Sequence, residues 1–163
     1  MNPVLLLIAA IAIGFMSGLR AFTPLALVSW LAIWGWLPLA GSRLAFLGTT
    51  AGAVIVSVLA LGELIGDKLP VTPPRIQPGP LVARLLTGAM SGGAIGLAGG
   101  QSWVPGSMGG ALGGMAGAFA GYYVRRAIVR RLGVRDFLVA FVEDIVAVGG
   151  TLLLLAYLFS RTV

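Results

Sequence analysis

The sequence predicts an all-α fold, a polytopic membrane helix bundle with about six transmembrane helices, and three observations carry that prediction. Of 163 residues, 58% are hydrophobic and the mean hydropathy is +1.01. Only 10% are charged, against about 25% in a soluble domain. Those few charges divide the chain into uncharged stretches close to the roughly 17–25 residues that cross a bilayer. A water-soluble enzyme is thereby excluded. Zero Cys and zero His further exclude disulfides, thiol catalysis, Cys/His zinc sites and a Ser-His-Asp triad.

Taken in order, the first span covers residues 3–19 and ends at Arg20. It lacks a basic n-region and a small-x-small cleavage site, so it reads as a mature helix rather than a signal peptide. The second covers 21–42, ending at Arg43, with Pro24 in its first turn, where proline is tolerated. The third, 44–62, precedes Glu63. The fourth and fifth, 85–101 and 103–124, are divided at Gln101-Ser102. The sixth, 145–160, belongs to a helix starting near Phe137. Pro70, Pro73, Pro74, Pro78 and Pro80 make residues 70–80 a stiff connector or lid. The chain therefore reads as one membrane domain, 1–163, with a first half 1–70 and a second half 81–163.

Lys and Arg set the orientation. The loops after spans 1, 3 and 5 hold Arg20; Lys68, Arg75 and Arg84; and Arg125, Arg126, Arg130, Arg131 and Arg135, leaving Arg43 and Arg161 opposite. The richly basic side is predicted to be cytoplasmic, with both termini outside. Trp34, Trp36 and Trp103 then gather at the outer interface as an aromatic belt. The formal charge of +6 follows from that topology and does not point to nucleic acid. The Arg125–Arg135 cluster is the segment best suited to anionic lipid headgroups.

Residues 7–18 and 81–92 align with Leu, Ala, Gly, Met, Ser and Gly in register. Two three-helix halves must run in opposite orientations, so this match suggests a 3+3 inverted repeat. Glycine recurs every fourth residue at Gly88, Gly92, Gly96 and Gly100, and again at Gly109, Gly113, Gly117 and Gly121. Such stripes read as helix-packing faces, either facing each other within one chain or meeting across a homodimer.

The five carboxylates are Glu63, Asp67, Asp136, Glu143 and Asp144. Glu63 and Asp67 share one helix face by their spacing of four. Charges inside a span cost at least about 2.5–3.5 kcal/mol each and so face partners or water. Glu143 and Asp144 point about 100° apart, so one is expected to face the bundle and pair with Arg20 or Arg84. The candidate ion- or substrate-binding residues are Arg20, Thr23, Glu63, Asp67, Lys68, Arg75, Arg84, Glu143 and Asp144. Their oxygens suit Mg, Mn, Ca or a proton; Arg20, Arg75 and Arg84 suit a phosphate or carboxylate. No nucleophile–base pair is visible, and neither catalysis nor a cofactor is expected.

The segment Glu63-Leu-Ile-Gly-Asp-Lys-Leu-Pro-Val-Thr-Pro-Pro-Arg75, followed by Pro80-Leu-Val-Ala-Arg84 and Gly88, resembles the bacterial membrane proteins classed as a domain of unknown function, number 4126. Their pattern is a Glu, Asp-Lys-x-Pro, Thr-Pro-x-Arg and Leu-x-x-Arg ahead of a Gly-rich helix. Gly18-Leu-Arg20-Ala-Phe-Thr-Pro24 fits their first helix end. The resemblance implies a small polytopic inner-membrane protein. Glu63-Leu-Ile-Gly-Asp-Lys is also similar to the Glu-x-Gly-Asp-Lys signature of cation exchangers with two inverted three-helix repeats. One extra residue separates Glu from Gly here, and the second half has Glu143-Asp144 without Gly-Asp-Lys.

These features predict a small transporter or permease for an ion or small charged solute, working among membrane lipids. The alternatives are a non-transporting lipid-binding or assembly protein, and a membrane enzyme acting on a lipid phosphate beside Arg75 and Arg84.

Overall fold

A computed structural model describes residues 2–67 and 74–160; Lys68, Pro70, Pro73 and Arg161 lie outside them. The described residues are all-α. Helix α1 is Pro3–Leu19, opened by Asn2, whose side chain accepts from the Val4 N–H, and by Pro3 in its first turn. The others are α2 Phe22–Ile33, α3 Thr50–Gly66, α4 Pro78–Ala98, α5 Trp103–Leu132 and α6 Asp136–Phe159. Thr49 caps α3 and Ser102 caps α5 through side-chain oxygens. The starts of α2, α4 and α6 lie at one end, where Glu63 reaches Ala21 and Arg84, and Arg20 reaches Asp144.

Four element boundaries differ from the sequence reading. The third span, expected at 44–62, is a single 3-10 turn at Ala45–Gly48 followed by α3, which carries Glu63 within it. The expected span 21–42 is a helix of 12 residues, about 18 Å long at 1.5 Å per residue, short of the roughly 30 Å hydrocarbon layer. Gly35 and Gly41, at φ 79° and 73°, turn the chain out of helical geometry. The irregular stretch that follows is nonetheless core, with Leu37, Leu39, Leu44 and Leu47 buried. Helix α4 begins at Pro78, so Pro78 and Pro80 form its first turn instead of ending a connector; proline costs nothing where the N–H has no helical partner. Helix α5 has 30 residues and ends at Gly133, in the left-handed region at φ 62°. Arg125, Arg126, Arg130 and Arg131 therefore stand on helix rather than in a loop.

The centre is a triplet of α1, α4 and α5, and glycine is its cause. A Cβ on Gly14 or on Gly88 would collide with the carbonyl oxygen of Gly110, and one on Gly92 with that of Gly106. Gly113 and Gly117 lie equally close to the Ile11 and Phe15 carbonyls. Both glycine stripes are thus engaged within one chain, apart from Gly100, whose would-be Cβ meets nothing within 4 Å. The aligned fragments 7–18 and 81–92 meet α5 in opposite senses. From Gly110, Gly14 to Gly18 proceeds toward Gly114 and Gly117, whereas Gly88 to Gly92 proceeds toward Gly106.

Outside this pair the halves differ in build. Helix α2 packs chiefly on α3, its Trp30 indole donating to Ser57 Oγ at 3.0 Å, whereas α5 runs along α1 and α4. Large apolar side chains cover the periphery: Ile55, Val58, Leu61 and Ile65 on α3, and Phe137, Phe141, Ile145 and Leu153 on α6, are exposed. Two helices, Pro78–Ala98 and Asp136–Leu158, are long and apolar enough to cross a membrane.

Candidate functional site

All five Asp and Glu side chains enter ion pairs at the end of the bundle where α2, α4 and α6 begin, in two lobes. The network starts at Arg20, which follows the last residue of α1. Its backbone is extended there and its N–H still bonds to the Met16 carbonyl, which turns the side chain under the bundle. The side chain is fully buried, at 0% exposure. One guanidinium nitrogen pairs with Asp67, the residue that ends α3, and the other with Asp144 of α6. A weaker bond reaches the Ala140 carbonyl at 3.4 Å.

Glu63, one turn before Asp67, binds the start of α2. Its two oxygens accept the N–H groups of Ala21 at 2.7 Å and Phe22 at 3.0 Å. Ala21 offers no side-chain cap, so Glu63 supplies that function, with negative charge at the positive end of the helix dipole. Arg84 lies across it, its Nη2 3.3 Å from Glu63 and 3.9 Å from Asp67. The remaining Arg84 donors go to the Gly18 and Pro80 carbonyls, both at 3.1 Å. Arg84 thus ties α1, α3 and α4 together.

The second lobe is built on Glu143. Arg75 donates to it at 2.8 Å and Arg125 at 3.3 Å. Arg125 also makes a two-pronged bond to Asp136, Nε to Oδ1 at 2.8 Å and Nη2 to Oδ2 at 2.6 Å. Gly121 makes room here: a Cβ would fall on Arg75 Nη1, close to Leu19. The last member of the α5 stripe therefore accommodates a charge.

Glu143 and Asp144, adjacent in sequence, enter through different arginines, as their angular separation requires. Asp144 is the one that pairs with Arg20. Thr23 is buried in the first turn of α2, and its hydroxyl has no hydrogen-bond partner among the described residues. The same holds for Arg20 Nε and Arg75 Nη1. Lys68 lies outside the described residues. Arg125 and Asp136 belong to the network although neither was a candidate from sequence. Arg125 reads there as one more member of a basic cluster, and only the 18-residue separation from Glu143, closed by the α5/α6 turn, betrays it.

Chemically, the described network holds four guanidinium groups, Arg20, Arg75, Arg84 and Arg125, against five carboxylates. Its formal balance is one negative charge. Among the described residues no three acidic side chains gather as a metal-holding group. Arg75 and Arg84 are buried and already paired with acids, so they present no open cationic face to a lipid phosphate.

The family described as "Domain of unknown function (DUF4126)" matches the chain over residues 7–159. No curated protein and no solved structure matches it. The chain belongs to that family.

Proposed function

We propose that this member of the DUF4126 family is a six-helix inner-membrane transporter or permease for a small ion, with its site in the cytoplasmic half of the bundle. The apolar side chains around the periphery support membrane embedding, since water-soluble monomers rarely expose contiguous apolar patches beyond a few hundred Å². Helix α5 spans about 45 Å at 1.5 Å per residue, so its basic last turns extend past the roughly 30 Å hydrocarbon layer. The antiparallel approach of the two aligned fragments to Gly110 supports the inverted-repeat reading locally.

One observation carries the transport reading: Arg20, wholly buried, is shared between Asp67 and Asp144 on two different helices. A tethered guanidinium between two acids acts as a built-in counter-ion, which an arriving cation can displace from either one. The acids that Arg20 holds suit a proton or another small cation. The glycine contacts of α1 with α4 and α5 are smooth surfaces along which the halves can rock.

The test is cation-driven flux in proteoliposomes. Asp67→Asn and Asp144→Asn are expected to abolish flux, with Arg43→Gln, at the far end, unaffected. Wild-type flux in both acidic variants would overturn the reading. A second reading, a non-transporting lipid-binding or assembly protein, is favoured by the pairing of all five carboxylates; it predicts lowered stability in those variants and no cation flux in the wild type.

A further inference from the structure

The two-pronged bond from Arg125 to Asp136 closes a tip, residues 126–135, between α5 and α6. The tip carries Arg126, Arg130, Arg131 and Arg135 and no acid. All four arginines are exposed, and no residue of the tip is buried against the rest of the chain. The acids that could neutralise them are held by Arg20, Arg75, Arg84 and Arg125. Among the described residues, none of the four is paired with an acid.

Helix α5 itself measures where the tip stands. Trp103 and Tyr123 are exposed aromatics on that helix, about 30 Å apart at 1.5 Å per residue. That separation equals the hydrocarbon thickness, and such rings settle at the two membrane interfaces. Arg126, Arg130 and Arg131 then stand about 5–12 Å beyond the hydrocarbon edge, at headgroup depth. Helical side chains lean toward the N-terminus, which here means back toward the bilayer. Arg126 shows this lean: it donates to the Tyr122 hydroxyl at 3.0 Å and lies 6.0 Å from that ring's centroid. An uncompensated cluster of arginines at this depth is complementary to the phosphates of a membrane surface, and clusters of four or more basic residues beside a spanning helix select anionic lipid.

We propose that the tip 126–135 is a docking surface for anionic phospholipids of the leaflet at the basic end of the bundle, its four arginines engaging several headgroup phosphates at once. The surface rests on the membrane embedding proposed above but not on transport.

Native mass spectrometry of the detergent-purified protein, offered equal amounts of dioleoyl phosphatidylglycerol and dioleoyl phosphatidylcholine, tests it. The wild type is expected to retain the anionic lipid preferentially. Arg130→Gln alone should lower that preference roughly fivefold, the contribution of one arginine near an anionic surface. Changing all four tip arginines to Gln should abolish it. Changing all four to Lys keeps the charges and should keep the preference, as should Arg43→Gln at the far end. Equal retention of both lipids by wild type recovered in the membrane fraction overturns the surface alone. So does an undiminished preference in the quadruple Gln variant, or its loss in the quadruple Lys variant. Tighter retention of a short single-stranded RNA than of the lipid overturns the membrane as the partner. Recovery of the wild type in the soluble fraction overturns the membrane reading and the lipid surface with it.

Discussion

Arg20 is paired with Asp144, joining the end of α1 to the third turn of α6. Its other arm holds Asp67, so one residue locks three helices. Removing one partner of a buried ion pair typically costs about 3–5 kcal/mol, because the other charge is left uncompensated. Arg20→Gln is therefore expected to lower the thermal unfolding midpoint in detergent sharply. Arg20→Lys should not restore it, since an ammonium lacks the planar fork that reaches two acids. The triple variant Arg20→Met, Asp67→Asn, Asp144→Asn should recover much of the loss. An Arg20→Gln protein as stable as wild type would show that the network contributes nothing to folding.

Glycine packing gives a second prediction because the same substitution has opposite effects at two sites. Gly110→Ala drives a Cβ into the Gly88 carbonyl, and overpacking of this kind costs typically about 1–3 kcal/mol. Gly149, inside α6, has nothing within 4 Å of its would-be Cβ. There the helix-propensity gain of up to about 1 kcal/mol is unopposed. Unfolding midpoints should fall for Gly110→Ala and hold or rise for Gly149→Ala. Equal shifts would mean that close backbone approach is not what holds α5 in place.

Much of this architecture was legible in sequence, for reasons that individual residues make plain. The stripe from Gly109 to Gly121 repeats at the helical period, so its use as a packing face follows from local spacing. Glu63 and Asp67 lie one turn apart, and their common face needed no tertiary information. The length of α2 is not legible, because hydrophobicity alone cannot separate a long helix from a short one followed by an apolar turn. Leu37, Leu39, Leu44 and Leu47 are as apolar as any span, and the punctuation by Gly35, Pro38 and Gly41 decided their backbone. Arg125 was hidden for the opposite reason: its partners Asp136 and Glu143 become neighbours only once the α5/α6 turn folds back, and a crowd of similar arginines surrounds it.

The two carboxylates bound by Arg125 should respond differently to neutralisation. Asp136 is 62% exposed and Glu143 12%. An exposed pair contributes about 0.2–1 kcal/mol, and salt screens it over a Debye length of about 10 Å at 0.1 M. Glu143 instead serves Arg75 and Arg125 in a buried setting, and its loss leaves Arg75 without an acid at hydrogen-bond distance. Asp136→Asn should shift the unfolding midpoint little, and less still in high salt. Glu143→Gln should shift it several times further and with weak salt dependence. A larger effect at Asp136 would contradict the burial order on which the two-lobed site depends.

Orientation provides the last prediction, and the absence of cysteine from the chain makes it clean. Ala40 is exposed in the irregular stretch after α2, at the end that carries Trp34, Trp36 and Arg43. Leu132 is 70% exposed at the basic end of α5. Both positions lie outside the glycine contacts and the charged network, so a cysteine there should not disturb folding. Positively charged flanks are retained on the cytoplasmic side during insertion, so the proposed orientation predicts Leu132 inside and Ala40 outside. A membrane-impermeant maleimide should label Ala40→Cys in intact cells and Leu132→Cys only after permeabilisation. The reverse pattern would place the buried carboxylates in the outer half of the bilayer, so the transport direction would have to be redrawn.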